Sequence, residues 1–358
     1  MTRSKQSRVH SAPYAKLAPP TLPIVFHRMR LFRLLDKSQA RRLIWITAPA
    51  GAGKTTLVAS YLKSKRVPVL WYRLDESDAD PSSFFSFLSV AARSLAPRFK
   101  RPLPVLTPEY ALGLQTFARR YFQALGARLP RRCRIVLDNY QDIPAQAGLH
   151  QLLACGVYEL PDGISVVVMS RQGPCSPMAR LLAEQMIASI GPDPLRLSRA
   201  ETLGVARLHL KSQKQRMARS RIDELHNKAR GWAAGLTLLL KNIENQQTLE
   251  SASVDESPES IFQFLATHAF EGLDQDVQEI LVKTSILSDI SVTLAEGLTN
   301  SPKAGEVLRS LYLVRHFIER RDEPELWYRY HPLFRDFLLE RLAARYSVDE
   351  VRNLRRQA

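Results

Sequence analysis

The run Ala48, Pro49, Ala50, Gly51, Ala52, Gly53, Lys54, Thr55, Thr56 has the residue types needed to hold a polyphosphate. Glycines let backbone N–H groups turn toward an anion, and a helix expected from about Gly53 to Lys63 adds the partial positive charge of its N-terminus. Lys54 is spaced to reach β- and γ-phosphates, and the Thr55 hydroxyl is spaced to ligate Mg²⁺. The pattern for such a loop has glycine where Ala48 stands, while Gly51, Gly53, Lys54 and Thr55 agree with it. With Ala52 and Thr56, these residues form the expected binding stretch for ATP or ADP with Mg²⁺.

A second signal, supplying a carboxylate, lies downstream in Arg134-Ile-Val-Leu-Asp138-Asn139-Tyr140, a buried strand pattern ending in Asp. An aspartate at that point, across from a phosphate loop, serves the shell of the metal, so Thr55 and Asp138 are the expected metal residues. The next position is Asn139, an amide that cannot take a proton, where a second acid would help to activate water. A third strand pattern, Val166 to Ser170, ends at Arg171. On spacing alone Arg171 is either a sensor of the γ-phosphate or an arginine paired with a nearby acid. His331 precedes an apolar helical pattern, and by its chemistry alone it is a structural histidine.

These residues need a scaffold, and the chain's patterning supplies one. Leu43–Thr47, Val67–Tyr72, Ile135–Leu137, Ile164–Met169 and, more weakly, Leu195–Leu197 read as strands. Helical patterns over 82–95 and 110–128 alternate with them, which implies a parallel sheet covered on both faces. The expected α/β nucleotide-binding domain spans 25–198, preceded by a flexible basic arm over 1–24 with Pro13, Pro19, Pro20 and Pro23. Strand patterns then fade. Residues 199–245 read as a helical lid, 246–258 as a polar linker, and 259–345 as helices with a hairpin around Phe317–Tyr330, the make-up of a winged helix. Ser347 and Glu350 match a capping box, so 346–358 is expected to begin a further helical element, as in a piece of a longer protein.

Composition narrows the partners. Lys and Arg total 51 against 35 Asp and Glu, a net charge of +16, which favours polyanions. The excess gathers in residues 1–45, whose single acid is Asp36, and from Arg207 to Arg221, where no acid occurs. Such runs are either solvated helix faces or contacts to nucleic acid or a partner. The scattered cysteines at 133, 155 and 175 lack metal-site spacing and suit a reducing compartment. No apolar stretch has the length of a leader segment or a membrane span, so a cytoplasmic location without membrane contact is expected.

Taken in order, the motifs resemble the STAND class of signal-transduction ATPases, the group holding the maltose-regulon activators and the large LuxR-type transcriptional regulators. The resemblance rests on Val25-Phe-His-Arg28-Met-Arg30-Leu31, the loop from Ala48, Trp71–Pro81, Val136–Tyr140, Val166–Arg171, Leu195–Glu201, Gly231–Leu236 and Tyr330–Leu338. It implies a P-loop NTPase domain, a helical lid and a winged-helix domain that switch between a closed ADP-bound monomer and an ATP-bound assembly. It also implies that Arg28 and Arg30 lie near the adenine end, that Arg171 reads the γ-phosphate, and that His331 contacts the phosphates from the winged-helix side. A separate inducer or regulatory partner belongs to this scheme, and its identity is not written in the sequence.

The leading reading is therefore the ATP-binding core of a transcriptional regulator, with hydrolysis slowed by Asn139. The alternatives are an AAA-type ATPase whose turnover remodels a target, and a winged-helix nucleic-acid-binding protein. No helix shows a set of base-reading side chains, so DNA binding by this chain is expected to be non-specific at most.

Overall fold

A computed structural model describes residues 15–22, 24–98, 101–110, 113–210, 219–244, 266–267, 270–271, 273–313, 318–321 and 326–357. The expected linker over 246–258 and the centre of the basic run, 211–218, lie outside the described residues. The chain divides into two compact units, the first drawing on the stretch before Pro23, His27–Pro49 and Lys54–Pro194. The second takes in Pro23–Phe26, Ala50–Gly53 and the chain from Leu195 onward.

The first unit is built on five parallel strands: β1 Leu43–Thr47, β2 Val69–Arg73, β3 Arg134–Asp138, β4 Ser165–Ser170 and β5 Ile187–Ile190. They are ordered β2-β3-β4-β1-β5. β1, β3 and β4 are nearly continuous runs of buried Leu, Ile, Val and Trp, as strands covered on both faces must be. Helices α1 Met29–Ser38, α2 Lys54–Lys65, α3 Pro81–Leu95, α4 Leu114–Arg128, α5 Leu149–Tyr158, α6 Ala179–Ala183 and α7 Pro192–Leu195 connect and flank them. Phe85 anchors the core between α3 and α4, with ring centroids 4.7 Å from Tyr121 and 4.9 Å from Phe117. Aromatic pairs of this kind are worth about 0.5–1.5 kcal/mol beyond the area they bury.

Two expectations need correction. The fifth strand is Ile187–Ile190 on the outer edge of β1, and Leu195, expected in a strand, closes the short turn of helix α7. Within the stretch expected to be a flexible arm, Ala15–Leu17 forms a 3₁₀ turn with Leu17 in the core. Lys16 fixes that turn through ion pairs to Asp78 at 2.8 Å and Asp75 at 3.2 Å. The acid-rich run after Trp71 is likewise structural. Asp75 and Asp78 form a reciprocal cap, Tyr72 donates to Asp78 at 2.6 Å, and Asp80 caps α3 ahead of Pro81.

The second unit opens with α8 Arg199–Leu210, α9 Arg219–Ala229 and α10 Ala233–Glu244. Ser198 and Glu201 start α8 with a capping box, the serine N–H to the carboxylate at 2.9 Å and the glutamate N–H to the hydroxyl at 3.2 Å. Farther along, helices Gln275–Thr284, Val292–Thr299, Ala304–Leu313 and Pro332–Arg345 surround an antiparallel sheet. Its strands β6 Ile290–Ser291, β7 Ile318–Arg321 and β8 Trp327–Tyr330 are ordered β6-β8-β7, so β7 and β8 make the hairpin wing. The buried Tyr330 hydroxyl, 2.7 Å from Thr284 Oγ1, ties the wing to the first of these helices. Ser347 and Glu350 cap the last helix, Val348–Gln357, as their spacing predicts. Among the described residues no helix is long and apolar enough to cross a membrane.

Candidate nucleotide-binding site

The phosphate loop leaves the C-terminal end of β1 and enters α2 at Lys54. Gly51 and Gly53 hold φ angles of 73° and 84°, the left-handed region that a side chain opposes. A Cβ on Gly51 would also lie 2.7 Å from the Cβ of Ala234. Ala48, where the motif has glycine, is not among the residues of positive φ and is buried at 1% exposure. Alanine therefore costs the loop nothing there. Lys54 Nζ donates to Ala48 O at 2.6 Å and Pro49 O at 3.1 Å, so the ammonium lies along the loop backbone. Burial lowers its pKa to about 8, with Asp138 opposing the shift and Arg171 adding to it.

Asp138 sits at the end of β3, buried at 2% exposure, and α2 brings Thr55 to it. The Thr55 Oγ1 donor lies 3.2 Å from both carboxylate oxygens. A hydroxyl and a carboxylate are hard oxygen donors, and one of each with phosphate oxygens and water is a suitable set for Mg²⁺. The backbone N–H of Asn139 also donates to Asp138 Oδ1, at 3.1 Å. Asn139 itself adopts φ 60°, ψ 39°, a left-handed conformation that asparagine tolerates better than most residues. Thr56 is exposed on the first turn of α2, and Ala52 is buried in the loop.

The other residues singled out by sequence are more dispersed. Arg171 follows β4, exposed, with its backbone N–H held by Gln141 Oε1 at 3.1 Å and its charge felt by Lys54. Arg28 is the buried residue that begins α1, accepting from the Phe32 N–H at 3.0 Å. Arg30, on the same helix, is exposed and donates to Pro194 O at 2.8 Å. His331 belongs to the second unit, where it precedes helix Pro332–Arg345 and accepts from the Arg335 N–H at 2.9 Å.

Sequence reading missed three partners of the site. Arg73, the last residue of β2, is paired in register with Asp138, and its Nε lies 4.0 Å from Asp138 Oδ2. Its only signal was a cation at the end of an apolar strand. Within the second unit, Trp232 donates its indole N–H to Ala50 O at 3.1 Å, and Ala234 donates its backbone N–H to Gly51 O at 3.0 Å. The Gly231–Leu236 motif thus holds the carbonyls of the loop's turn, a contact across 182 residues that local patterning cannot reveal.

A parallel sheet with a phosphate loop after β1 and a buried aspartate ending β3, followed by helices and a winged helix, defines the P-loop NTPase fold with a winged-helix domain behind it. Comparison with known proteins narrows the class. Residues 266–350 match the MalT winged helix domain, and residues 24–171 match the family described as Nephrocystin 3, N-terminal. The transcriptional regulator MalT of Cronobacter sakazakii is 28% identical over 330 residues, covering 90% of this chain and 36% of MalT. MalT of Vibrio cholerae is 27% identical, with the same coverages of 90% and 36%. A STAND protein with a tetratricopeptide repeat sensor from Pyrococcus horikoshii shares the fold at a TM-score of 0.64 and 17% identity. That match covers 98% of this chain and 46% of that one. The chain is similar to the MalT transcriptional regulators and spans about a third of their length.

Proposed function

We propose that this chain is the nucleotide-binding regulatory core of a MalT-like transcriptional regulator, working in the cytoplasm as a switch with an ADP-bound resting state and an ATP-bound active state. The observation that carries the reading is the joining of Thr55 Oγ1 to both oxygens of Asp138 behind a glycine loop that ends in Lys54. In this reading the loop backbone from Ala48 to Thr56 cradles the phosphates, Lys54 pairs with the β- and γ-oxygens, and Thr55 and Asp138 hold Mg²⁺. Thr55 and Asp138 would hold the ion, which would supply positive charge to offset that of the phosphates. Arg171, beyond β4, senses the γ-phosphate, while Arg28 and Arg30 serve the adenine end. His331 responds to the phosphates from the winged-helix domain in the resting state. The domains carrying these roles are 25–198, 199–245 and 259–345. Self-assembly in the ATP state and response to a separate inducer complete the proposal.

Calorimetric titration with Mg-ATP tests the site. The parent should bind, and Lys54→Ala should not, while its circular dichroism and unfolding transition stay those of the parent. Equal ATP affinity in the two proteins would remove the phosphates from this loop.

A further inference from the structure

Arg73 ends β2 beside Asp138 in a parallel ladder, where in-register neighbours point to one face of the sheet. The two side chains are 6% and 3% exposed, with Nε 4.0 Å from Oδ2. β1 and β4, the other strands next to the loop, end in the neutral Thr47 and Ser170. A guanidinium keeps its charge even when buried, so this face of the sheet holds a fixed cation against the carboxylate assigned to the metal.

We propose that Arg73 is a built-in counter-cation of Asp138, and that it lets this site take metal-free nucleotide nearly as well as the Mg²⁺ chelate. The inference rests on reading Ala48–Thr56 as the phosphate loop. Its physics is charge balance. An ion held by Thr55 and Asp138 draws less from a carboxylate that a guanidinium already faces, and at this burial solvent screens the pair little. A triphosphate without its metal carries two more negative charges, and it gains more from the cations gathered around Asp138, Arg73 beside it and Lys54 and Arg171 within electrostatic reach. Both effects lower the coupling between Mg²⁺ and nucleotide. By linkage, removing the Arg73 charge must raise that coupling.

The experiment measures ATP affinity with excess Mg²⁺ and with excess EDTA in the parent, Arg73→Met and Arg73→Lys. In the parent the two values should agree within about threefold. Arg73→Met should lose about tenfold or more on metal removal, the scale on which outer partners of a metal ligand act. Arg73→Lys, which keeps the charge, should follow the parent, a result that a packing role for Arg73 would not produce. A parent that loses tenfold or more in EDTA overturns the inference, and so does an Arg73→Met variant with the parent's ratio. If Arg73→Met does not fold, the parent and Arg73→Lys ratios decide. Nucleotide binding in neither condition overturns the phosphate-loop reading and this inference together.

Discussion

The indole N–H of Trp232 donates to the carbonyl oxygen of Ala50 at 3.1 Å, while the ring lies against Gly51 closely enough to exclude a Cβ there. The turn of the phosphate loop, Ala50–Gly53, and the start of α10 are therefore one packed structure, and both belong to the second compact unit.

That packing predicts the effect of Trp232→Phe, which keeps an aromatic ring and deletes the donor. A buried carbonyl left without its partner costs about 1–3 kcal/mol. The variant should unfold several degrees below the parent, at about 2–4 °C for each kcal/mol. It should also bind ATP several-fold more weakly, because the loop is no longer held in shape. A thermal scan and a titration check both effects. An unchanged transition with unchanged affinity would mean that the hydrogen bond does not support the loop.

His331 offers a test of the switch. If the histidine stabilises the ADP-bound resting state, His331→Ala should release ADP faster and shift the ADP/ATP preference toward ATP, since a ligand and a conformation that favour one another must lose that preference together. Nucleotide content after purification and an ADP chase report it. Equal retention in parent and variant would leave His331 with the role visible within its own unit, preceding helix Pro332–Arg345.

Much of this arrangement could be read in the sequence, and the rest was hidden for physical reasons. Strands β1, β3 and β4 are buried on both faces and show as short apolar runs, and the paired wing strands show in Ile318 and the aromatic-rich Trp327–Tyr330. Among the described residues β5 lies at the sheet edge beside β1, and its two buried isoleucines, Ile187 and Ile190, flank the more exposed Ala188 and Ser189, a weak signal beside the apolar Leu195 and Leu197. The phosphate loop is local chemistry and shows in nine consecutive residues. Arg73 and Trp232 act through partners 65 and 182 positions away, 138 − 73 and 232 − 50, and only the folded chain brings them together.

The charge excess leads to a prediction about DNA. If the chain's role in DNA contact is the non-specific one proposed from its net charge of +16, binding should be weak and indifferent to sequence. It should also fall steeply with salt, log K dropping by about 0.9 per phosphate neutralised for each decade of salt. Competition between random and operator-like duplexes at physiological salt checks this. Strong preference for one sequence would show that the chain reads bases itself.

Asn139 decides whether the protein is a slow switch or a fast machine. Phosphoryl transfer to water needs a positioned nucleophile as well as a held γ-phosphate. In the proposed site Lys54, Thr55 and Asp138 provide the hold, and the residue after Asp138 is the one proposed to act on water. An amide can orient that water but cannot accept its proton, and general-base assistance is worth roughly 10²- to 10⁴-fold. The structure adds a competing reason for the residue, because at φ 60°, ψ 39° asparagine is also the side chain that best suits the backbone. Aspartate tolerates the same conformation, so Asn139→Asp changes the chemistry without straining the turn. Single-turnover hydrolysis in the parent should be slow and should rise by about 10²-fold or more in the variant, with similar ATP affinity. The unfolding temperatures of the two proteins should agree, since both residues tolerate the backbone conformation. If the parent already turns over quickly, or if the variant matches it, then water is positioned by another group, and Asn139 is retained for its backbone alone.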